Sequence, residues 1–292
     1  MITDIRQKLD ENAALVEKSL EEFFTKKKDT TLYKAMKYST MCGGKRIRPF
    51  LVLEFCKLFG GSAEAAIPYA MALEMIHTFS LIHDDLPCMD NDDMRRGKPT
   101  NHKVFGEAQA LLAGDALVFS AFECASSNEY ASAENKVKAI TKLAFASGAD
   151  GMCEGQMIDI ESEGKKIDFY QLLNLHSHKT GALISVAAEL GAIAAGADDE
   201  KINAAKGYGL ALGLAFQVID DILDKYGSEE ELGKPVGSDD KNEKTTFLSF
   251  FSFEEAKAFA RNTTNDACEW IKEYNNSETL LSLAEMLLER KS

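Results

Sequence analysis

Two aspartate clusters are the residues of this chain best suited to chemistry: DDLPCMD at Asp84 to Asp90, followed at once by DDMRRG, and DDILD at Asp220 to Asp224. Each sits in an apolar stretch of helical period, so several carboxylates gather at the edge of a hydrophobic environment, which is costly without cations. Divalent metal is the natural compensation, because hard Mg²⁺ takes carboxylate oxygens and shares itself with substrate phosphates. A diphosphate site is the first expectation.

In DDILD, Asp220 and Asp224 are one helical turn apart and project from the same face, with Asp221 about 100° round the axis. A solvated acidic helix end would not be preceded by Gln217-Val218-Ile219 or interrupted by Ile222-Leu223. In DDLPCMD, Pro87 removes one helical hydrogen bond and is expected to bend the chain so that Asp90 returns toward Asp84. Arg95 and Arg96 follow closely, and carboxylates, metals and guanidinium forks together suit a polyanion. GGKRIRP, Gly43 to Pro49, sets Lys45, Arg46 and Arg48 beside a glycine pair that lets backbone amides approach an anion, with Pro49 placed to open a helix. His77 lies two turns before Asp84 on the same helix side and could donate to a second phosphate group. Taken singly, His77 and His83 read as core or helix-end histidines. Lys179-Thr180 and Phe216-Gln217 likewise gain weight only in this company.

The elements that must position these groups are helices. Ile5, Leu9, Val16, Leu20, Phe23 and Phe24 keep to one face at helical spacing, and the same period returns through nearly the whole chain. Alternating strand patterns are almost absent. Helices centred near residues 15, 36, 54, 78, 118, 140, 173, 189, 213, 264 and 283 are expected to pack as one all-α bundle, residues 1–292 forming a single domain. Ala182 to Ala197 and Gly207 to Leu223 are apolar on most faces and belong in its middle. Ser62 is a candidate cap for the helix that carries His77 and Phe79.

The 292 residues carry 33 Lys+Arg against 47 Asp+Glu, a net charge of −14 that argues against nucleic acid or an anionic membrane as partner. An anionic substrate therefore needs local basic groups: the turn at Gly43 to Pro49, Arg95, Arg96, Lys179, and GKPVGSDDKNEK at Gly233 to Lys244. The six cysteines are scattered, with no CxxC, and read as reduced thiols of a cytoplasmic protein. The longest stretch free of acids and bases, Gly207 to Ile219, is too short to span a bilayer.

Across nearly its whole length the chain resembles the short-chain trans-prenyltransferases, that is farnesyl or geranylgeranyl diphosphate synthases. The likeness runs from GGKRIRP through SLIHDDLPCMDNDDMRRGKPTNHKVFGE, LLAGDAL, GMCEGQMID, HKTGALI, FQVIDDILD and GKPVGSDDKNEKTT, in the family's order. It implies an isoprenoid-synthase helical bundle around a deep central cavity, a homodimer, and two Asp-rich motifs on facing helices at the cavity mouth. On matching positions Asp84, Asp90 and Asp220 would hold a cluster of three Mg²⁺, with Asp85, Asp221 and Asp224 in support. The allylic diphosphate would lie on those metals with Arg95, Lys179, Lys234 and Lys244, and isopentenyl diphosphate on Lys45, Arg48, His77 and Arg96.

The reaction so implied breaks an allylic C–O bond, leaving diphosphate and a delocalised carbocation that isopentenyl diphosphate captures. Metals and fixed Lys and Arg cations stabilise the charge growing on the leaving group. The Gln217 amide and Thr180 hydroxyl suit the cation, since they offer oxygen without strong nucleophilicity. No Glu or His stands out as a base, so the released diphosphate is the expected proton acceptor, as the resemblance also implies. Phe79, about 7.5 Å up the helix from Asp84, and the small Ser80 resemble a farnesyl-forming pattern, making C15 the expected product. The alternatives are a C20 synthase or a non-catalytic subunit that modulates a partner synthase. The segment Tyr226 to Lys244 is the expected mobile loop over bound diphosphate.

Overall fold

The computed structural model describes residues 2–226 and 244–290, with side chains from residue 5 onward. In chain order they form α1 (Ile2–Thr25), α2 (Thr31–Thr40), α3 (Ile47–Leu58), α4 (Ala63–Asp84), β1 (Met94–Arg95), β2 (Lys98–Pro99), α5 (Asn101–Phe105), α6 (Glu107–Ser126), α7 (Ala133–Ser147), α8 (Met152–Ser162) and α9 (Phe169–His176). A π-helical turn, Ser177–Gly181, runs straight into α10 (Ala182–Ala194); then come α11 (Asp199–Tyr226), a 3₁₀ turn at Phe247–Ser249, α12 (Phe253–Glu269) and α13 (Glu278–Leu288). The fold is all-α, as expected.

Local chemistry sets many helix starts. Thr30, Ser62 and Ser132 each accept an amide of the first turn, and reciprocal capping boxes open α9 (Asp168 with Gln171) and α12 (Ser252 with Glu255). The most apolar helix, α10, is buried from Leu183 to Ala194 and packs between α3 and α11, while α4 packs on α3 and α6. A second apolar cluster, with Leu172, Ile219, Ile222 and Phe247, lies beneath DDILD, and Phe169 meets the rings of Phe247, Phe250, Phe251 and Phe259 edge-on.

The chain turns back near Pro87 as expected: helix α4 ends at Asp84 and a tight turn follows, in which the Asp90 amide donates to Asp84 O at 2.9 Å. Pro87 cannot continue a helical ladder and disfavours helix at the residue before it, so the helix stops ahead of it. The RRG segment forms a two-residue antiparallel hairpin whose turn residues, Arg96 and Gly97, both have positive φ. Helices α5 and α8 were not foreseen. By length and composition α4 and α6 could cross a bilayer, but α4 is core; α6 leaves Leu112 and Phe119 on the surface.

Candidate active site

The two aspartate motifs line one cavity of about 380 Å³, which holds Asp84, Asp90, Asp220, Asp221 and Asp224 together with Arg95, Lys179, Thr180, Gln217 and Lys244. Asp84 and Asp90 are brought together by the turn, Asp220 and Asp224 by one helical repeat of α11. Each motif also commits its second aspartate to the protein. Asp85 receives Arg95 Nε at 2.7 Å, and Asp221 Oδ2 receives the Phe247 amide at 2.7 Å. Burial pushes the Asp84 carboxyl up to about 6, with Lys179 opposing and Asp90 adding to the rise. Asp220 is paired to Arg290, whose guanidinium lies 3.9 Å from the Phe216 ring centroid.

The basic turn separates its three cations. Arg46 adopts left-handed backbone (φ 49) and turns inward to Glu74 and Glu17, and it donates to Thr40 O at 2.8 Å. That buried anchorage leaves Lys45 exposed, while Arg48 contacts His77 at 3.4 Å. Burial, then Arg48 and the neighbouring arginines, hold the His77 imidazole well below its usual range. Arg96 reaches across from the hairpin to donate to Gly43 O. The Gly43–Gly44 pair permits this approach: a Cβ on Gly44 would come within 2.6 Å of the Arg96 guanidinium.

Asp159, on the unforeseen α8, holds both lysines of the first cavity, accepting from Lys179 at 2.6 Å and Lys244 at 3.0 Å. Against the upward push of burial, the two lysines keep its carboxyl below the usual range. The π-turn supplies Lys179 and Thr180, and α8 crosses it so closely that a Cβ on Gly155 would fall 2.2 Å from Lys179 N. The sequence signal for Asp159 was the GMCEGQMID motif, already visible but without a helix to place its last residue. His176 was missed as well. It lines the same cavity, and burial lowers its imidazole to about 4.

A second cavity, of about 390 Å³, shares Asp84, Lys179 and Thr180 with the first but is mostly apolar. Phe79, Ser80, Met152, Met157 and Leu183 line it, along with Arg48 and His77. Neither cavity includes Lys45 or Arg96 in its lining; the charges that act on Lys45 are those of Arg290, Asp220 and Arg6, whereas Arg96 acts on Arg48 and His77. His83 is a packing residue, with Nε2 3.1 Å from Leu111 O and its ring edge-on to Phe79. Lys234 and most of the Tyr226 to Lys244 segment lie outside the described residues.

Among the described residues no group of three or more Asp, Glu, His or Cys side chains is gathered closely enough to hold a metal ion by itself. Mg²⁺ suits such a site, since it retains water and binds through one or two carboxylates plus substrate phosphates. Asp84, raised by burial and facing Asp220 across a roomy polar cavity, has the donor chemistry for it.

Residues 29–286 match the polyprenyl synthetase family model. The chain is 45% identical over 287 residues to a geranylgeranyl diphosphate synthase of Cyanophora paradoxa, covering 97% of this chain and 96% of that protein. It is 46% identical over 256 residues to a farnesyl diphosphate synthase of Geobacillus stearothermophilus, covering 87% and 86%. The crystal structure of geranylgeranyl pyrophosphate synthetase from Pyrococcus horikoshii Ot3 superposes with a TM-score of 0.89 at 33% identity, over 99% of each chain. The chain belongs to the polyprenyl synthetase family and is a short-chain trans-prenyltransferase.

Proposed function

We propose that this enzyme condenses isopentenyl diphosphate with dimethylallyl and then geranyl diphosphate, and that its main product is farnesyl diphosphate, C15. The observation that carries this reading is the pair of cavities meeting at Asp84, Lys179 and Thr180, one charged and one apolar with Phe79 in its wall. A diphosphate fits the first and a growing prenyl chain the second. Residues 1–292 act as one catalytic domain.

Asp84, Asp90 and Asp220 would hold three Mg²⁺, which supply positive charge to the departing diphosphate. Arg95, Lys179, Lys244 and, by sequence, Lys234 add fixed donors to the same leaving group. Asp159 keeps Lys179 and Lys244 pointed at one place, so little reorganisation is needed when charge develops. Lys45, Arg48, His77 and Arg96 orient isopentenyl diphosphate, with its double bond toward the allylic carbon. A neutral His77 serves here as a hydrogen-bond donor. The Thr180 hydroxyl and Gln217 amide face the electron-deficient fragment, and the released diphosphate takes the final proton.

Phe79 supports C15 because its bulky ring lines the apolar cavity five residues before Asp84 on the same helix. The relatives include both C15 and C20 synthases at similar identity, so the ring carries the choice. The apolar outer face of α6, where Phe119 is 76% exposed, supports a homodimer. Cysteines without disulfides support a reducing, cytoplasmic setting. The deciding experiment is incubation with dimethylallyl and isopentenyl diphosphates in Mg²⁺ and chromatography of the products. Farnesyl diphosphate supports the proposal, a C20 product moves the floor away from Phe79, and no turnover by the pure protein favours a modulatory subunit.

A further inference from the structure

His176 plays no part in the chemistry above, yet its ring lines the charged cavity while being only 7% exposed. It stacks on the Phe247 ring, centroids 5.6 Å apart and 13° from parallel. Its Nδ1 lies 3.4 Å from the Gln217 amide nitrogen. An amide nitrogen only donates, so Nδ1 accepts, and a neutral imidazole then carries its proton on Nε2. That Nε2 is buried without a hydrogen-bond partner, 3.8 Å from Asp221 Oδ2.

The consequence falls on Gln217. The two ends of its amide have nearly the same shape and opposite chemistry: the nitrogen presents protons, whereas the oxygen stabilises developing positive charge. Free to rotate, the amide would offer either end to the cavity. With its nitrogen tied to His176, the oxygen is the end left for the reacting fragment.

We propose that His176 is a positioning residue for prenyl transfer, which by accepting a hydrogen bond from Gln217 holds that amide with its oxygen toward the allylic carbon. This rests on the prenyl-transfer reading, in which Gln217 faces the cation. A ring that only filled space beside Phe247 would be replaced by phenylalanine without consequence.

Two variants separate these roles. His176→Phe keeps the stack and removes both nitrogens, and His176→Asn keeps an acceptor near the Nδ1 position. With dimethylallyl and isopentenyl diphosphates, His176→Phe should lower kcat about tenfold, leave both KM values within about twofold, and raise the share of allylic substrate released as prenyl alcohol. His176→Asn should recover most of the loss. On a Gln217→Glu background, where either oxygen accepts, His176→Phe should cost less than about twofold more. In the wild-type protein the ring ¹⁵N shifts of His176, assigned by comparison with His176→Asn, should show a bare Nδ1 and a protonated Nε2; this reading does not depend on the Phe variant folding. The proposal is overturned by the opposite tautomer, by unchanged kcat and alcohol release in His176→Phe, or by full multiplication of the two costs. Absence of prenyl transfer in the wild type would instead fall on the enzymatic reading.

Discussion

The first aspartate motif is built where a helix stops, the second where a helix continues. Asp84 and Asp90 meet because a turn after α4 folds the chain back; Asp220 and Asp224 meet because α11 repeats every turn. Both sites nevertheless divide their adjacent pair alike. Asp85 is taken by Arg95 and Asp221 by the Phe247 amide, while Asp84 and Asp220 line the shared cavity, which Asp221 also borders. The motifs differ in how the cavity-facing carboxylate is compensated: Arg290 pairs with Asp220, whereas no ion pair to Asp84 occurs among the described residues. Two unlike backbones thus reach one arrangement, an aspartate bonded to a neighbouring donor of the fold beside an aspartate that lines the cavity.

If the motifs are functionally equivalent, Asp84→Ala and Asp220→Ala should each lower kcat by about a hundredfold to a thousandfold, because each removes leaving-group stabilisation. Near-normal turnover in either variant would leave the other motif working alone. Next in size, Lys179→Ala should raise KM for the allylic substrate and Lys45→Ala that for isopentenyl diphosphate, each by about tenfold or more. Steady-state kinetics showing the same substrate affected in both would merge the two pockets.

Asp221→Ala should destabilise the fold by about 1–3 kcal/mol by orphaning the buried Phe247 amide, and Asp221→Asn should restore most of it. Equal melting temperatures for Asp221→Ala and wild type would remove the distinction between the two aspartates of the pair.

A pH effect arises from Asp84. Its carboxyl is raised from an ordinary 3.8 to about 6. Between those values the unfolded chain has lost a proton that the folded chain retains, so this group's contribution to stability declines as pH rises and stays lost above about 6. Mg²⁺ with inorganic diphosphate should therefore raise the melting temperature more at about pH 7.5 than at about pH 5. An equal rise at both would take Asp84 out of the metal set. Smallest in rate, Phe79→Ala should leave turnover within a few-fold while lengthening the product, and unchanged chromatography would show that the ring is not the floor.

The helical bundle and its charged mouth were legible because long amphipathic periods and the two aspartate clusters are strong, local signals. Direction lay hidden. Lys45, Arg46 and Arg48 are alike as residue types, and only the left-handed backbone at Arg46 reveals that one of them is structural. Helix α8 escaped because Met157 and Ile160 are exposed, so its apolar residues do not trace a single buried face; Asp159 escaped with it. His176 looks in the sequence like any histidine near a helix end. Its meaning comes from Gln217, distant along the chain and reached only through packing of α9 against α11.

The wide turn at Ser177–Gly181 makes the active site sensitive to length as well as to composition. Lys179 and Thr180 project from a stretch wound one residue looser than the helices on either side. Deleting a single residue there would let the coil relax to regular winding with α9 and α10 nearly in place, and would remove the wide turn that presents Lys179 and Thr180. Every charged group would then survive in the gene while Lys179 lost the turn that carries it to Asp159, so a gap of one in this segment would disturb the cavity more than most exchanges of side chain.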